Sequence, residues 1–466
     1  MAADEIVPPV DAGLPPPPPD IAIPAALDEG TSFLCGPAGT GKTYLAKAIV
    51  RQRPGTLLCA TTGIASINLG EGTTLNSALG YFDTPSLIDS YASGRLTGRL
   101  GKLWRGGIRR LLIDEVSMMD AEQLTIITRA IDELSGRGYV LDHQLADEID
   151  EDLRGEDVTR RSAIKISLVG DFCQLPPVKA PWAFTSGEWA RYAASQHLLT
   201  KVHRQVDPAF IAAMSAARTG EKDTVVDYFR DRLVDAPDHH YDGLTVVATN
   251  DAADRLNALR LDRIQSPLMY WESATWGKPR GDWKNIPEKL GLKVGALVMI
   301  LANTRDQVDG IPPYLWPLRY ANGDLAEVVE MDAPGARVWV KLQRNGRVLP
   351  VEWVTRQNNI PLEPGRKTAL RAAGQDHLLS EDGKFETVGE VTYLPLRLSY
   401  ASTVHKCQGL SLDRVQVLTR EGMFRQPGLL YVSLTRARTP EGLRLVGSVD
   451  GLRERVTVHP DLGAWL

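Results

Sequence analysis

Cysteine is scarce in this chain. Four stand among 466 residues, at Cys35, Cys59, Cys173 and Cys407, far apart and with no CxxC pair. That spacing excludes a disulfide framework and a cysteine zinc site, and it fits a reducing compartment. No run approaches the roughly 18–20 apolar residues of a membrane-spanning helix, so no membrane role is expected. The first 30 residues hold no Lys or Arg. They lack the basic start of a secretory signal, and the expectation is a cytoplasmic or nuclear protein that is not secreted. Positive charge is also in deficit: 53 Lys+Arg against 58 Asp+Glu leave a formal net charge of -5. Taken whole, that balance argues mildly against a nucleic-acid partner. The acids are clustered, however. Residues 1–29 carry six acids and no base, and residues 142–157 carry eight acids and one base, which leaves the remainder at +8. A net basic remainder is compatible with a polyanionic partner.

What is present is a globular composition, 43% hydrophobic and 24% charged, with a texture that changes along the chain. Residues 1–23 contain Pro8, Pro9 and the run Pro15 to Pro19, a composition that cannot bury a core and predicts an extended, disordered tail. From about residue 31, short apolar runs alternate with amphipathic stretches. Phe33 to Cys35, Thr56 to Cys59, Leu111 to Ile113 and Ile164 to Val169 read as buried parallel strands, and Leu124, Ile127, Ile131 and Leu134 recur at near-helical spacing. Leu244 to Ala248, Val415 to Leu418 and Leu443 to Val446 repeat the strand pattern. Residues 266–394 differ: short strand candidates (Ala296 to Leu301, Ala326 to Glu330, Val338 to Leu342) and Asn-Gly turns at Asn322-Gly323 and Asn345-Gly346 predict a small all-β insertion.

Gly36-Pro37-Ala38-Gly39-Thr40-Gly41-Lys42-Thr43 fits G-x-x-x-x-G-K-[ST] between a strand and a helix, which is the context the motif requires. The glycines let backbone N–H groups approach phosphate oxygens, and the helix N-terminus favours the anion. Lys42 is expected to reach the β- and γ-phosphates and Thr43 to bind Mg²⁺. Leu111-Leu112-Ile113-Asp114-Glu115 delivers Asp114 to the same Mg²⁺ and places Glu115 to polarise a water. An acid directly after the metal acid suits hydrolysis. A third strand leads into Gly170-Asp171-Phe172-Cys173-Gln174-Leu175-Pro176-Pro177-Val178, where Gln174 is placed to bond a γ-phosphate or its water.

At this point the chain resembles the superfamily 1B DNA helicases of the Pif-type, RecD/Dda-like group. GDFCQLPPV is close to that group's GDxxQLPPV, and further matches follow in the group's order: Ala60 to Ser66, Thr74 to Ser77, Val202-His203-Arg204-Gln205, Leu292 to Met299, Tyr320 to Asp324, Leu396 to Gly409 and Tyr431 to Arg438. The resemblance covers residues 31–447. It implies an α/β fold of two RecA-like parallel-sheet P-loop domains, with a small all-β, SH3-like domain inserted in the second. The first domain is expected at 24–200, with a wedge subdomain at about 80–107 and the acidic insertion at 142–157. The second is expected at 201–265 and 395–466, and the insertion at 266–394.

The implied activity is ATP-dependent, 5′-to-3′ translocation on single-stranded DNA coupled to duplex unwinding. The other reading is a RecD-like translocase subunit of a recombination or nuclease complex. The implied cofactors are ATP and Mg²⁺. The implied partners are single-stranded DNA and single-strand/duplex junctions, met by a monomeric, nucleoid-associated or nuclear motor, with an accessory protein at the acidic insertion or the tail. By the same resemblance, Arg204 and Arg436 reach the nucleotide across the cleft, Gly409 lies at the nucleotide, and Thr62, Gly63, Asn76, Ser77, Thr403, His405 and Lys406 line the strand. Ser90 to Ile113 carries six basic residues and no acid, and Trp104 lies within it. Basic residues beside an aromatic suit a strand-guiding wedge. Two departures stand out: residues 20–31 contain no Gln to read adenine, and Asn76 stands where the group more often has His.

Overall fold

The computed structural model describes residues 22–28, 30–62, 65, 73–136, 164–278, 286–309, 318–320, 324–332, 337–362, 365–379, 385–420, 424 and 426–465. Residues 1–21 of the expected tail, Gly63, the acidic insertion 142–157 and the Asn322-Gly323 turn lie outside them.

Strands buried on both faces need helices on both sides, and the short apolar runs accordingly form parallel sheets. In the first sheet β1 (Ser32–Cys35), β2 (Thr56–Ala60), β3 (Thr73–Thr74), β4 (Arg110–Asp114), β5 (Lys165–Gly170) and β6 (Gln196–Leu198) lie in the order β3-β2-β4-β5-β1-β6, every pair parallel. Cys35 is in register with Gly170 and Ala60 with Asp114, so the carboxyl ends of β1, β2, β4 and β5 share one edge. Open α/β sheets bind ligands at that edge. A second parallel sheet orders the strands Ala401–Thr403, Leu244–Val247, Val415–Leu418, Leu443–Val446 and Leu233–Val234.

Both sheets belong to one compact unit, and two features tie them together. The first is apolar. Trp465, in the final helical turn Pro460–Trp465, packs on Phe33 of β1 (5.6 Å between ring centres), Phe172 (4.9 Å), Phe184 (5.6 Å) and Trp189 (5.7 Å), in tilted or edge-on geometries. The second is ionic. The Asp171 side chain, at the exit of β5, is fully buried, and Arg218 of the helix Pro208–Thr219 grips it at 3.1 and 3.3 Å. Arg218 also donates to the Trp465 carbonyl at 3.2 Å. Burial alone would lower the Arg218 pKa, but the Asp171 carboxylate outweighs it and holds the guanidinium well above its ordinary value.

The other compact unit falls within Asp254–Thr304 and Asn322–Tyr400, and its pairings are antiparallel. Five strands run in the order Val348–Val351, Val338–Leu342, Leu325–Met331, Leu297–Ile300 and Leu396–Leu398. Three more form the order Ala274–Gly277, Phe385–Tyr393 and Val354–Pro361. Asn345-Gly346 turns the hairpin between Val338–Leu342 and Val348–Val351, with Gly346 at φ 70. Beside it Arg344 clamps the buried Asp324 at 2.9 and 3.1 Å. Among the described residues no helix is long and apolar enough to cross a membrane.

Removing Arg218 would leave a fully buried carboxylate without its cation. Arg218→Ala is expected to destabilise the fold by about 3–5 kcal/mol in denaturant unfolding, with part of the loss recovered in the Asp171→Asn background. A loss below about 1 kcal/mol would show that the pair carries no such load.

Candidate functional site

The phosphate loop leaves β1 at Gly36, where the backbone passes so close to Leu199 that an added Cβ would lie 2.3 Å from its carbonyl oxygen. Only glycine fits there. The loop closes on Gly41 at φ 86, which caps the helix Lys42–Gln52 without any side-chain bond. The first-turn N–H groups therefore face the loop as an anion-binding concavity. Lys42 is buried, and its ammonium donates to the carbonyls of Gly36 (2.8 Å) and Pro37 (2.9 Å). Thr40 donates to the Pro37 carbonyl at 2.9 Å. Burial lowers the Lys42 pKa, against the pull of Asp171, Glu115 and Asp114. The Ala38 N–H donates to the Tyr431 hydroxyl at 2.8 Å, and that hydroxyl donates to Asp171 at 3.0 Å. Tyr431 thus joins the loop to the exit of β5.

Asp114 ends β4 beneath the loop, where its carboxylate accepts from the Thr43 hydroxyl at 3.0 Å. Burial first, then the neighbouring Glu115 carboxylate, raises the Asp114 pKa. A hydroxyl and a buried carboxylate at one point, oxygen donors both, fit Mg²⁺. Among the described residues no group of three or more His, Cys, Asp or Glu could hold a metal ion. Two protein oxygens completed by phosphate and water are what Mg²⁺ accepts. Glu115 sits in the left-handed region at φ 57, a strained conformation for a residue with a Cβ, costing roughly 1–3 kcal/mol. Its carbonyl accepts from Thr61 Oγ1 at 2.8 Å, and its carboxylate accepts from Gln408 Nε2 at 3.1 Å. Gln174 is buried with its Oε1 unpartnered among the described residues, and its backbone carbonyl packs against Gly428 so tightly that a Cβ there would approach to 2.7 Å.

The segment Val202 to Gln205 rests on the loop. The N–H groups of His203 and Arg204 donate to the Gly39 carbonyl at 2.8 and 3.2 Å, while Arg204 Nη1 reaches the Thr435 carbonyl (3.1 Å) and Gln205 Nε2 the Ala437 carbonyl (2.9 Å). Arg436 is almost wholly buried two residues beyond the helix Leu429–Leu434. It donates to the carbonyls of Val432 (2.8 Å) and Leu410 (2.9 Å) and to the Thr435 hydroxyl (2.9 Å). Gly409, at φ 84, forms the turn just before Leu410. Burial, then the charge of Arg436, pulls the Arg204 pKa down to about 10, and burial lowers that of Arg436 as well. Lys42, Arg204 and Arg436 make no ion pair among the described residues. Cations sunk out of water without a carboxylate partner are costly and call for an anion.

The expected strand-facing residues divide. Thr62 accepts from the Ala65 N–H at 3.2 Å. Asn76 and Ser77 lie on the short helix Leu75–Leu79, Asn76 tied to the Phe82 carbonyl at 2.9 Å and Ser77 exposed. Thr403 ends its strand, and His405 and Lys406 follow half-buried, with burial lowering the His405 pKa and Lys406 donating to Asn250 at 3.2 Å. Gly63 lies outside the described residues. Trp104, on the helix Arg95–Arg105, packs against the core with the Arg109 guanidinium 4.7 Å over its ring. The side chain that stands out from this region is Phe82, 70% exposed.

Several basic residues of this interval are engaged by the fold itself. Arg99 bonds the Ala78 and Ser77 carbonyls, Arg109 caps Trp104, and buried Arg110 bonds the Leu27 carbonyl and Ser167. A positive run in sequence is therefore only partly a positive surface. The sequence reading gave no role to Thr61, Asp171, Gln205, Arg218, Gln408 or Tyr431. Thr61, Asp171, Gln205, Gln408 and Tyr431 lie inside motifs already singled out. Arg218 carried no local signal, because its partner lies 47 residues away.

Comparison with known proteins agrees with this geometry. The PIF1-like helicase family model matches residues 22–185. The ATP-dependent DNA helicase Pif1 of Bdellovibrio bacteriovorus is 27% identical over 431 residues, covering 89% of this chain and 84% of that protein. Human ATP-dependent DNA helicase PIF1 is 30% identical over 449 residues, covering 91% of this chain but only 59% of the human protein. The crystal structure of Pif1 helicase from Candida albicans superposes with a TM-score of 0.67 at 25% identity, covering 95% of this chain and 97% of that one. The phosphate loop and paired acids fall inside the region that matches the PIF1-like helicase family, and the relatives extend the similarity along most of the chain.

Proposed function

We propose that this protein is an ATP-dependent DNA helicase that translocates on single-stranded DNA in the 5′-to-3′ direction. One observation carries the reading: Lys42, Arg204 and Arg436 lie buried near one another with no close ion pair to a carboxylate among the described residues, beside the paired Thr43 and Asp114. A triphosphate supplies the missing negative charge. The N–H groups of Gly39, Thr40 and Gly41 cradle it within the loop that Gly36, Pro37 and Ala38 open, and Lys42 binds its outer phosphates. Thr43 and Asp114 hold Mg²⁺, which when bound neutralises phosphate charge. Glu115 takes the proton of the attacking water, and Gln174 orients that water. Arg204 and Arg436 stabilise charge on the outermost phosphate as arginine fingers. Gly409 lets the turn that carries Leu410 approach them.

Because Arg436 belongs to the second sheet's helices and Lys42 to the first sheet's, loss of the outer phosphate weakens a contact across the cleft. Nucleotide state then biases closure. Thr62, Gly63, Asn76, Ser77, Thr403, His405 and Lys406 hold strand phosphates without reading sequence. The region 80–107 acts as the strand-separating element, with exposed Phe82 rather than capped Trp104 as its aromatic surface. Residues 24–200 form the first motor domain, 201–265 and 395–466 the second, and 266–394 an SH3-like insertion. The relatives' names as DNA helicases and the net basic remainder of the chain support DNA as the track.

Lys42→Ala is expected to lower ATP turnover by roughly 100-fold or more while single-strand affinity, read by fluorescence anisotropy, stays within a few-fold. Retained turnover would remove the loop from the chemistry. Arg436→Ala is expected to cost about 10³-fold in kcat with a smaller change in KM for ATP. Equal losses in binding and turnover would make Arg436 a binding group only. A fork with only a 5′ tail should be unwound and one with only a 3′ tail should not; the reverse result would overturn the direction.

A further inference from the structure

Glu115 is held from two sides by residues that adjoin the proposed strand contacts. From the first sheet, Thr61 donates its hydroxyl to the Glu115 carbonyl at 2.8 Å, and Thr61 is the immediate neighbour of Thr62. From the second sheet, Gln408 donates its amide to the Glu115 carboxylate at 3.1 Å and lies 3.4 Å from the Ser117 hydroxyl. Gln408 is two residues past Lys406 and three past His405, at the end of the turn Val404–Cys407 that follows the strand Ala401–Thr403. It is 2% exposed, and its Oε1 has no partner among the described residues.

Burying a side-chain amide half-satisfied costs stability, so nothing in packing alone accounts for a glutamine here. An apolar residue of the same length would fill the space without that cost. The same turn is gripped by Arg436, whose guanidinium donates to the carbonyls on both flanks of Gln408-Gly409, at Cys407 (3.4 Å) and Leu410 (2.9 Å). A displacement at His405 or Lys406 is therefore delivered at once to the amide on Glu115 and to Arg436. The receiving residue is the one non-glycine in the site with a left-handed backbone, at φ 57. A strained conformation of this kind persists only while its surroundings hold it.

We propose that Gln408, with Thr61 opposite it, is a positioning residue that makes the placement of the Glu115 carboxylate depend on strand occupancy, so that hydrolysis is fast only when DNA is engaged. The inference rests on the helicase reading above. The device needs no movement of the nucleotide itself. It acts on the orientation of the base toward the attacking water, and it therefore belongs to kcat and not to nucleotide binding.

The test uses the full chain with Gln408→Met, which keeps length and removes the amide, and Thr61→Val, which removes the hydroxyl. ATP turnover is measured with and without saturating oligo-deoxythymidine, together with KM for ATP, strand affinity and the melting temperature. For either variant the ratio of DNA-stimulated to basal turnover is expected to fall roughly 5-fold or more, the range of ordinary coupling factors. KM for ATP and strand affinity should each stay within about 2-fold. An unchanged ratio overturns the proposal. So does an equal fall of basal and stimulated turnover, which marks a purely structural or catalytic role. If Gln408→Met does not fold, Thr61→Val carries the same expectation and the same refutation. A wild-type ratio of one overturns the helicase reading first, a result distinct from a stimulated wild type whose variants keep the ratio.

Discussion

Lys42, Arg204 and Arg436 lie within reach of one another's charge, and all three spend donors on backbone carbonyls or hydroxyls while no carboxylate forms a close ion pair with them among the described residues. Their pKa values are pulled down, that of Arg204 to about 10, which expresses the cost of holding positive charge out of water. The surrounding architecture makes that cost tolerable. Left-handed glycines bring backbone close to the cations, and Tyr431, Asp171 and Arg218 form a satisfied polar chain beneath the loop. An isolated buried carboxylate would pair with the nearest cation of the cleft. Asp171 is instead hydrogen-bonded by Arg218 and Tyr431, and its charge acts on Lys42 without a close ion pair, which leaves the ammonium's donors open to exchange for a phosphate.

The two parallel sheets contribute unequal parts. The first supplies the loop, the acids and Lys42 from the aligned ends of its strands. The second supplies Arg436, Tyr431 and Gln408, each on a short helix or turn that follows a buried strand. Trp465 and Arg218 hold the sheets together at the back of the cleft through packing and an ion pair. At the front the contacts are single hydrogen bonds, such as Ala38 to Tyr431 and Gln408 to Glu115. In such a distribution the firm contacts keep the parts in register, and the weak ones can be exchanged as ligands come and go.

Much of this was legible in the residues. The phosphate loop announced itself because its chemistry needs glycines at fixed spacing, and the strands Phe33 to Cys35, Leu111 to Ile113 and Val415 to Leu418 because double burial writes an apolar run. The strand Ala401–Thr403 escaped notice because small polar residues, buried between neighbours, make no such run. The basic interval 90–113 misled in part. Arg99, Arg109 and Arg110 turn to carbonyls and to an indole ring, and only tertiary structure decides which arginines face water. The partnership of Asp171 with Arg218, 47 residues on, leaves no local trace at all.

The central claim, that the cleft is an unsatisfied cation cluster built for a triphosphate, is tested most directly by thermal unfolding with and without a non-hydrolysable ATP analogue and Mg²⁺. Ligand that binds only the folded chain raises stability by about 2.7 kcal/mol at 100 times its dissociation constant. The account predicts a clear rise in melting temperature for the native chain that shrinks without vanishing when Arg204 and Arg436 are both replaced by Ala. No rise, or a rise untouched by removing those two arginines, would contradict it.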